Sequence, residues 1–191
     1  MKISVAIPAL ALVFLAVSCK QDYTPKPRGY FRIEFPEKKY SALESDCPFV
    51  FDYPQYGTLE KAVGFPAANC WYNIVFPAYK AKIHLTYKPI NNNLAQYIED
   101  IHSIAYKHVI KADDITENTI IDPLNHVYGI VYGISGNTAS SINFFVTDSS
   151  NHFLSGALYF ASVPNADSLK PCLLFFGDDV IHLVKSVKWK L

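Results

Sequence analysis

The amino-acid sequence predicts an α+β domain in which a mostly antiparallel sheet of about six to seven strands is covered by two main α-helices. Short β-type segments bounded by turn residues and prolines fill residues 49–88 and 117–160. Two longer segments repeat apolar residues at three- and four-residue steps, which is typical of an amphipathic helix. The connections between consecutive β segments are short, so neighbouring strands should pair antiparallel in a meander.

The chain begins with a segment typical of an export signal. Lys2 is the only charged residue among residues 1–18, and residues 3–17 are largely apolar. An apolar run of about 15 residues is short for a helix that must span about 30 Å of hydrocarbon. Small residues close the run, as they do at signal cleavage sites. We therefore expect residues 1–18 to be a signal peptide, and the cysteine that follows them indicates a lipoprotein signal peptide.

Cys19 comes directly after the sequence LAVS at residues 15–18, which resembles a bacterial lipobox. In this interpretation cleavage follows Ser18 and the thiol of Cys19 receives a diacylglyceryl group. A single acyl chain binds membranes only marginally, whereas two or three chains on one cysteine hold a protein at the bilayer. The alternative is a free or disulfide-bonded cysteine near the cleavage site. Cys19 is the candidate lipidation residue, and the membrane is a predicted partner through this lipid.

Residues 19–40 predict a tether that also carries a docking segment. Pro25 and Pro27 favour extended backbone. Residues 28–35 then mix aromatic and aliphatic side chains with charged ones, and a flexible spacer would not carry that much apolar area. We expect this segment to dock the domain or a partner above the membrane. The predicted docking residues are Arg28, Gly29, Tyr30, Phe31, Arg32 and Phe35.

Residues 41–191 are expected to form a single globular domain. Its first half predicts strands at residues 49–53, 72–76 and 81–88, each followed by a proline. Only about four residues separate the last two of these strands, so they should form a hairpin.

The middle of the domain predicts a helix followed by the strand meander. Asparagines at residues 91–93 are candidate N-caps, and the apolar spacing predicts a helix from residue 94 to about residue 111, with His108 on its apolar stripe. Turn signals then separate four further β segments. The predicted meander strands are residues 117–121, 127–135, 140–147 and 152–160.

The last segment predicts a second helix. Asp167 or Ser168 should cap it, with Pro171 in its first turn. Gly177 lies inside this helix and costs about 1 kcal/mol relative to alanine.

Composition supports a folded, nearly neutral domain. Half of the residues are hydrophobic and the formal net charge is zero. Without residues 1–18 about 170 residues remain, which suits one domain with a real core. A balanced charge argues against nucleic acid as a partner, because nucleic-acid-binding domains favour a basic face.

Three cysteines follow Cys19: Cys47, Cys70 and Cys172. An odd number allows at most one internal disulfide. We favour Cys47 with Cys70, since both adjoin aromatic β segments early in the chain; three unpaired buried thiols are the alternative. The sequence has no C-x-x-C motif and no histidine at ligand spacing from a cysteine, so we predict no metal site.

The histidines do not form a recognisable catalytic motif. None of the six lies in a hydrolase or metalloprotease signature, so we predict no catalytic residue and no cofactor. Asp178, Asp179 and His182 share one helical face, but one helix offers too few ligands for a metal ion. Most aromatic residues of the first half should lie in the core, while the loop residues Tyr56 and Tyr79 are candidates for an exposed contact patch.

Several motifs together resemble the gliding-motility lipoproteins of the GldD type, from Bacteroidetes. The matching segments are residues 23–33, 35–36, 40, 47–49, 51–54, 70–74, 83–88 and 187–190. The resemblance covers nearly the whole mature chain, and the segment at residues 23–33 is its most specific part. The order of elements also looks like that of the Mog1/PsbP-type sandwich, by analogy only.

This resemblance implies a lipid-anchored cell-envelope protein that is required for gliding motility and the linked type IX protein secretion machinery. The implied role is a non-enzymatic assembly or stability component with protein partners in that machinery. Asp22 is a lone acidic residue just after Cys19 and gives no strong signal for export to the cell surface, so we expect an anchor on the periplasmic face of the outer membrane. The alternative is an envelope lipoprotein with a small-molecule-binding or hydrolytic pocket between the sheet and the helices.

Overall fold

The computed structural model describes residues 32–62, 70–107, 112–136, 140–162 and 166–190. Within these ranges the chain forms a seven-stranded sheet, two short two-stranded ribbons and two α-helices. All strand pairs in the sheet are antiparallel. The prediction of an α+β fold with a mostly antiparallel sheet and two helices is therefore confirmed.

The elements follow one another along the chain as two groups of strands, each followed by a helix. In chain order they are β1 (Tyr40–Ala42), β2 (Phe49–Val50), β3 (Asp52–Pro54), β4 (Thr58–Lys61), β5 (Tyr72–Phe76), β6 (Ala81–Pro89), α1 (Leu94–Tyr106), β7 (Ala112–Asp122), β8 (Val127–Gly136), β9 (Ser140–Thr147), β10 (His152–Phe160), α2 (Ala166–Ser186) and β11 (Lys188–Trp189).

The sheet joins two meanders in the order β4-β5-β6-β10-β9-β8-β7. The hairpin between β5 and β6 is present, with Phe76 opposite Ala81 next to the turn. The second meander runs from β7 to β10, and β10 then pairs with β6 along its whole length, with Gly156 opposite Leu85. β7 is consequently an edge strand.

The two helices pack against opposite faces of the sheet. Successive side chains of a strand point to opposite faces, and β9 illustrates this: Phe144 lies in the core that includes Phe176 and Val180 of α2, while Phe145 lies in the core that includes Ala105 of α1. The core beneath α2 is the larger of the two. No helix in the described ranges is both long enough and apolar enough to span a bilayer.

The predicted strand at residues 49–53 is two strands with different partners. β2 pairs with the C-terminal β11, with Phe49 opposite Trp189, whereas β3 pairs with β1, with Tyr53 opposite Ser41. Phe51 lies between them and is completely buried. The prediction of one continuous strand was therefore wrong, because the pairing partner changes at Phe51.

The helix boundaries also differ from the predicted ones. Asn93 lies at the N-cap position of α1, but its side chain accepts a hydrogen bond from the N–H of Asn91 instead of capping the helix. α1 ends at Tyr106, and His108 lies outside the described residues. α2 begins at Ala166, so Pro171 lies inside the helix and not in its first turn. Inside a helix, proline removes one backbone hydrogen-bond donor.

Candidate functional site: the strap and its contacts with Asp179

The predicted docking residues divide into two groups. Arg28, Gly29, Tyr30 and Phe31 lie outside the described residues, as does the lipidation candidate Cys19. Arg32 and Phe35 belong to residues 32–40, which we call the strap. The sequence predicts residues 19–40 to be a tether and docking segment, and in the structure the strap packs on the domain through Ile33, Phe35 and Lys38. The folded part of the chain therefore begins before residue 41.

Phe35 fixes the strap to the domain by aromatic stacking. Its ring lies 4.3 Å from that of Phe175 on α2, at an interplanar angle of 14°. On the other side it stacks with Tyr79 at 5.6 Å, and the hydroxyl of Tyr79 donates a hydrogen bond of 2.9 Å to the carbonyl oxygen of Glu34. Ile33 packs against the same core. The alternation of apolar and charged residues in this segment thus turns alternate side chains toward the domain.

Asp179 of α2 is the centre of a hydrogen-bonded cluster that holds the strap. Its side chain is 0% exposed. Oδ1 accepts hydrogen bonds from Nζ of Lys38 at 2.9 Å and from the hydroxyl of Tyr40 at 2.8 Å. Oδ2 accepts one from the hydroxyl of Tyr56 at 2.5 Å. We call these four residues the Asp179 clamp.

The clamp compensates a carboxylate that would otherwise be costly to bury. An ionised group removed from water destabilises a protein unless it is paired and hydrogen-bonded. Lys38 supplies the charge, and its ammonium also donates to the carbonyl oxygen of Phe175 at 2.7 Å. Burial, together with the hydrogen bonds to Asp179, raises the pKa of Tyr40 and of Tyr56. Both hydroxyls therefore stay protonated and available as donors.

In the sequence, Asp179 stands out only because it shares one helical face with Asp178 and His182, a set with too few ligands to bind a metal ion. In the structure Asp178 is exposed, and His182 stacks on Tyr40 with ring centroids 3.6 Å apart. Nε2 of His182 lies 3.4 Å from Oδ2 of Asp52. The described residues hold no group of three His, Cys, Asp or Glu side chains that could bind a metal ion. A sequence signal for the clamp did exist, since Asp179 interrupts the apolar stripe of Phe176, Val180 and Leu183.

The cysteines and the loop tyrosines also contact the core. Cys47 and Cys70 are joined by a disulfide, with Cα atoms 5.7 Å apart, and Cys172 is a buried free thiol on α2 whose pKa is raised by burial. Tyr56 and Tyr79, which the sequence offers as candidates for an exposed patch, pack against the core beneath α2; the hydroxyl of Tyr56 donates to Asp179, and that of Tyr79 donates to Glu34 of the strap.

A polar cleft lies on the opposite face of the sheet, beside α1. Nδ1 of His84 lies 2.5 Å from Oδ1 of Asn73, and the His84 ring meets Tyr159 edge to face. Burial, with a smaller contribution from the charge of Lys82, lowers the pKa of His84, so the imidazole is neutral at neutral pH. The cleft encloses about 240 Å³ and is also lined by Ser155. It can offer neutral hydrogen-bonding groups to a small ligand.

Comparison with known proteins gives one family and one solved structure of interest. A family model described as gliding motility lipoprotein GldD matches residues 20–189. No curated protein matches the chain. The solution structure of cyanobacterial PsbP (CyanoP) from Synechocystis sp. PCC 6803 aligns with a TM-score of 0.46 and 9% identity, over 81% of this chain and 94% of that chain. Because the family model spans most of the sequence, the chain belongs to the gliding motility lipoprotein GldD family.

Proposed function

We propose that this protein is a lipid-anchored envelope component required for gliding motility and for the linked type IX protein secretion machinery. It acts as a non-enzymatic assembly or stability component, and its partners are proteins of that machinery. The observation that carries the proposal is the family match over residues 20–189.

In this proposal the lipid on Cys19 holds the protein at the periplasmic face of the outer membrane. Two or three acyl chains on one cysteine supply the membrane affinity. Cys19→Ala should abolish labelling with a palmitate analogue and move the protein from the membrane fraction to the soluble fraction. If the variant still pelleted with membranes after a high-salt wash, another anchor would have to exist.

We further propose that Arg28, Gly29, Tyr30, Phe31 and Arg32 bind a protein partner next to the point where Phe35 fixes the strap. Arginine offers a forked set of donors for carboxylates, glycine allows a close backbone approach, and tyrosine and arginine are favoured at the centres of interfaces. Phe35 has a different role, since its ring is already stacked on Phe175.

The test is colony spreading in a gliding host that lacks its own copy of the gene. Replacement of Arg28, Tyr30 and Phe31 by alanine should abolish spreading and secretion while lipidation and protein level stay normal. The matched control is alanine at Glu37, Lys39 and Glu44, three exposed residues close by in the chain, which should spread normally. Normal spreading of the first variant would contradict the docking proposal.

The cleft at His84 favours a second candidate, an envelope lipoprotein that binds or hydrolyses a small molecule. The contact of His84 with Asn73 fixes the orientation of a neutral imidazole, as a general base requires. The two candidates separate cleanly in the same host. Loss of spreading in His84→Ala at normal abundance, together with normal spreading of the triple variant, would favour the cleft over the docking segment.

A further inference from the structure

A second concave surface lies between α2 and the edge of the sheet. Leu173, Leu174, Gly177 and Ile181 of α2 form one wall, and Val131 and Ile142 of the sheet form the floor. We call it the α2 groove. It encloses about 340 Å³, enough for the side chains of one helical face. The strap and the Asp179 clamp do not fill it.

Gly177 is the residue that keeps the groove open, and the fold does not require a glycine there. A Cβ atom at this position would lie 3.5 Å from Cδ1 of Ile142, an ordinary van der Waals contact. Glycine is among the least favourable residues inside a helix. Alanine would fit and would suit α2 better, so packing and helix propensity give no reason for the glycine.

Leu174 adds an apolar side chain that the domain leaves in water. It is 64% exposed, although a single exposed leucine is common on protein surfaces. Here it is adjacent to a groove with an apolar floor. Leu174, Gly177 and Ile181 follow one another at three- and four-residue steps, so they form one stripe along α2. A small residue between two large ones allows another helix to approach closely, as ridges packing into grooves require.

The charged residues that line the groove are carboxylates. Asp114 of β7 and Asp178 of α2 border it, and no lysine, arginine or histidine lines it among the residues that the structure describes. Asp178 is highly exposed and forms an ion pair with Nζ of Lys38 at 3.7 Å, which is longer than the 2.9 Å contact of the same ammonium with Asp179. An apolar groove with carboxylates at its rim complements an apolar face flanked by basic residues, and it disfavours anionic lipid head groups.

We infer that the α2 groove binds a basic amphipathic helix of a protein partner. The apolar face of that helix lies over Gly177 and beside Leu174, and its lysine or arginine residues meet Asp114 and Asp178. This is the helix-in-groove mode of recognition. The inference rests on the proposed function only in that the assembly role supplies a protein partner.

Binding is measured with the full lipidated protein in nanodiscs of zwitterionic phosphatidylcholine, with empty nanodiscs as the blank. The probe is a short fluorescent helical peptide of leucine and lysine in an amphipathic pattern. A peptide with glutamate in place of lysine is the charge control. We expect the lysine peptide to bind at least tenfold more tightly than the glutamate peptide, and we expect Leu174→Gln to weaken it about tenfold, which is about 1.4 kcal/mol.

Matched variants assign the effect to the groove. Leu124→Gln replaces another exposed leucine, one on the β7–β8 turn away from the groove, and should leave binding unchanged. Asp114→Lys should weaken the lysine peptide severalfold, whereas Asp113→Lys changes the same charge one residue outside the groove lining and should have little effect. Gly177→Leu should block binding, and Leu174→Gln tests the groove independently if that variant does not fold.

Three results would overturn the inference. The first is equal binding of the lysine and glutamate peptides. The second is unchanged binding in Leu174→Gln. The third is binding of anionic phospholipid vesicles that Leu174→Gln abolishes, which would assign the groove to lipid. Since purified components are used, each of these failures leaves the colony-spreading test of the proposed function unaffected.

Discussion

The ammonium of Lys38 lies 2.9 Å from a carboxylate oxygen of Asp179, across 141 positions of sequence. This ion pair connects the first described residues of the domain to its last helix. The strap, near the start of the described chain, is therefore held against α2, near its end. The strap contacts α2 through Lys38 and Phe35, and it contacts the connection between β5 and β6 through Glu34 and Tyr79.

Loss of Lys38 should destabilise the domain, because Asp179 would keep a buried negative charge without a cation. Removing one partner of a fully buried ion pair costs about 3–5 kcal/mol. The side chain of Lys38 is 28% exposed, so we expect Lys38→Met to lower the free energy of unfolding by about 2 kcal/mol in urea titrations. Lys39→Met is the control: that lysine is 63% exposed and forms an ion pair with the exposed Glu37, so its effect should stay within about 0.5 kcal/mol. Equal effects of the two variants would contradict the role of the clamp.

The two tyrosine hydroxyls of the clamp should be coupled through Asp179. Tyr40→Phe and Tyr56→Phe each remove one hydrogen bond to a charged group, which is worth about 1.5 kcal/mol. Because both hydroxyls serve the same carboxylate, the double variant should differ from the sum of the single ones by about 0.5 kcal/mol or more in a double-mutant cycle. Strict additivity of the unfolding free energies would indicate that the two contacts are independent.

The fold could be predicted where local pattern decides structure. Strands β5, β9 and β10 have the predicted bounds, since alternation and flanking prolines or turn residues act over a few positions. Short strands made by distant pairing could not be found this way. β11 exists because Lys188 and Trp189 pair with Val50 and Phe49, and its two residues carry no periodic signal of their own.

In the candidate site, too, local pattern predicts some contacts, and contacts between distant residues escape prediction. Phe35 belongs to an aromatic segment whose pattern predicts docking on the domain or on a partner, and its ring stacks on Phe175 of the domain. The role of Asp179 could not be predicted from the sequence, because its hydrogen-bond donors Lys38, Tyr40 and Tyr56 are more than a hundred residues away in the chain. A carboxylate inside an apolar helical stripe indicates a buried partner but does not identify it.

The disulfide between Cys47 and Cys70 should contribute measurably to stability. It closes a loop with a sequence separation of 23, and loop-closure entropy for that length corresponds to about 3 kcal/mol. Non-reducing mass mapping of protein from the envelope should recover the Cys47–Cys70 peptide, and Cys47→Ser with Cys70→Ser should lower the free energy of unfolding by about that amount. Alkylation of all three thiols in the native, unreduced protein would rule out this disulfide.

His84 should titrate below the usual range of histidine. Its pKa is lowered first by burial and then by the charge of Lys82. The unfolded chain therefore binds the proton first as pH falls, so the stability contributed by neutral His84 is complete above about pH 6.5 and declines below it. NMR titration of the imidazole measures the midpoint directly. Lys82→Met should raise the midpoint, while Lys185→Met on α2 should leave it unchanged; a midpoint at or above the usual value would contradict the assignment.

Gly177→Ala should stabilise the protein, in contrast to alanine at a glycine that is packed closely against its neighbours. In α2 the new Cβ would meet Ile142 at 3.5 Å, an ordinary contact, and the helix would gain about 1 kcal/mol from better propensity. Gly156→Ala in β10 is the comparison, because its Cβ would lie 2.5 Å from Cζ of Phe144 and 2.7 Å from the carbonyl oxygen of His84. That variant should lose about 1–3 kcal/mol through overpacking. Urea unfolding of both variants measures the change in the free energy of unfolding, which should be an increase for Gly177→Ala and a decrease for Gly156→Ala. Destabilisation by Gly177→Ala would mean that the fold itself needs this glycine, so an open α2 groove would no longer be the reason for a glycine at this position.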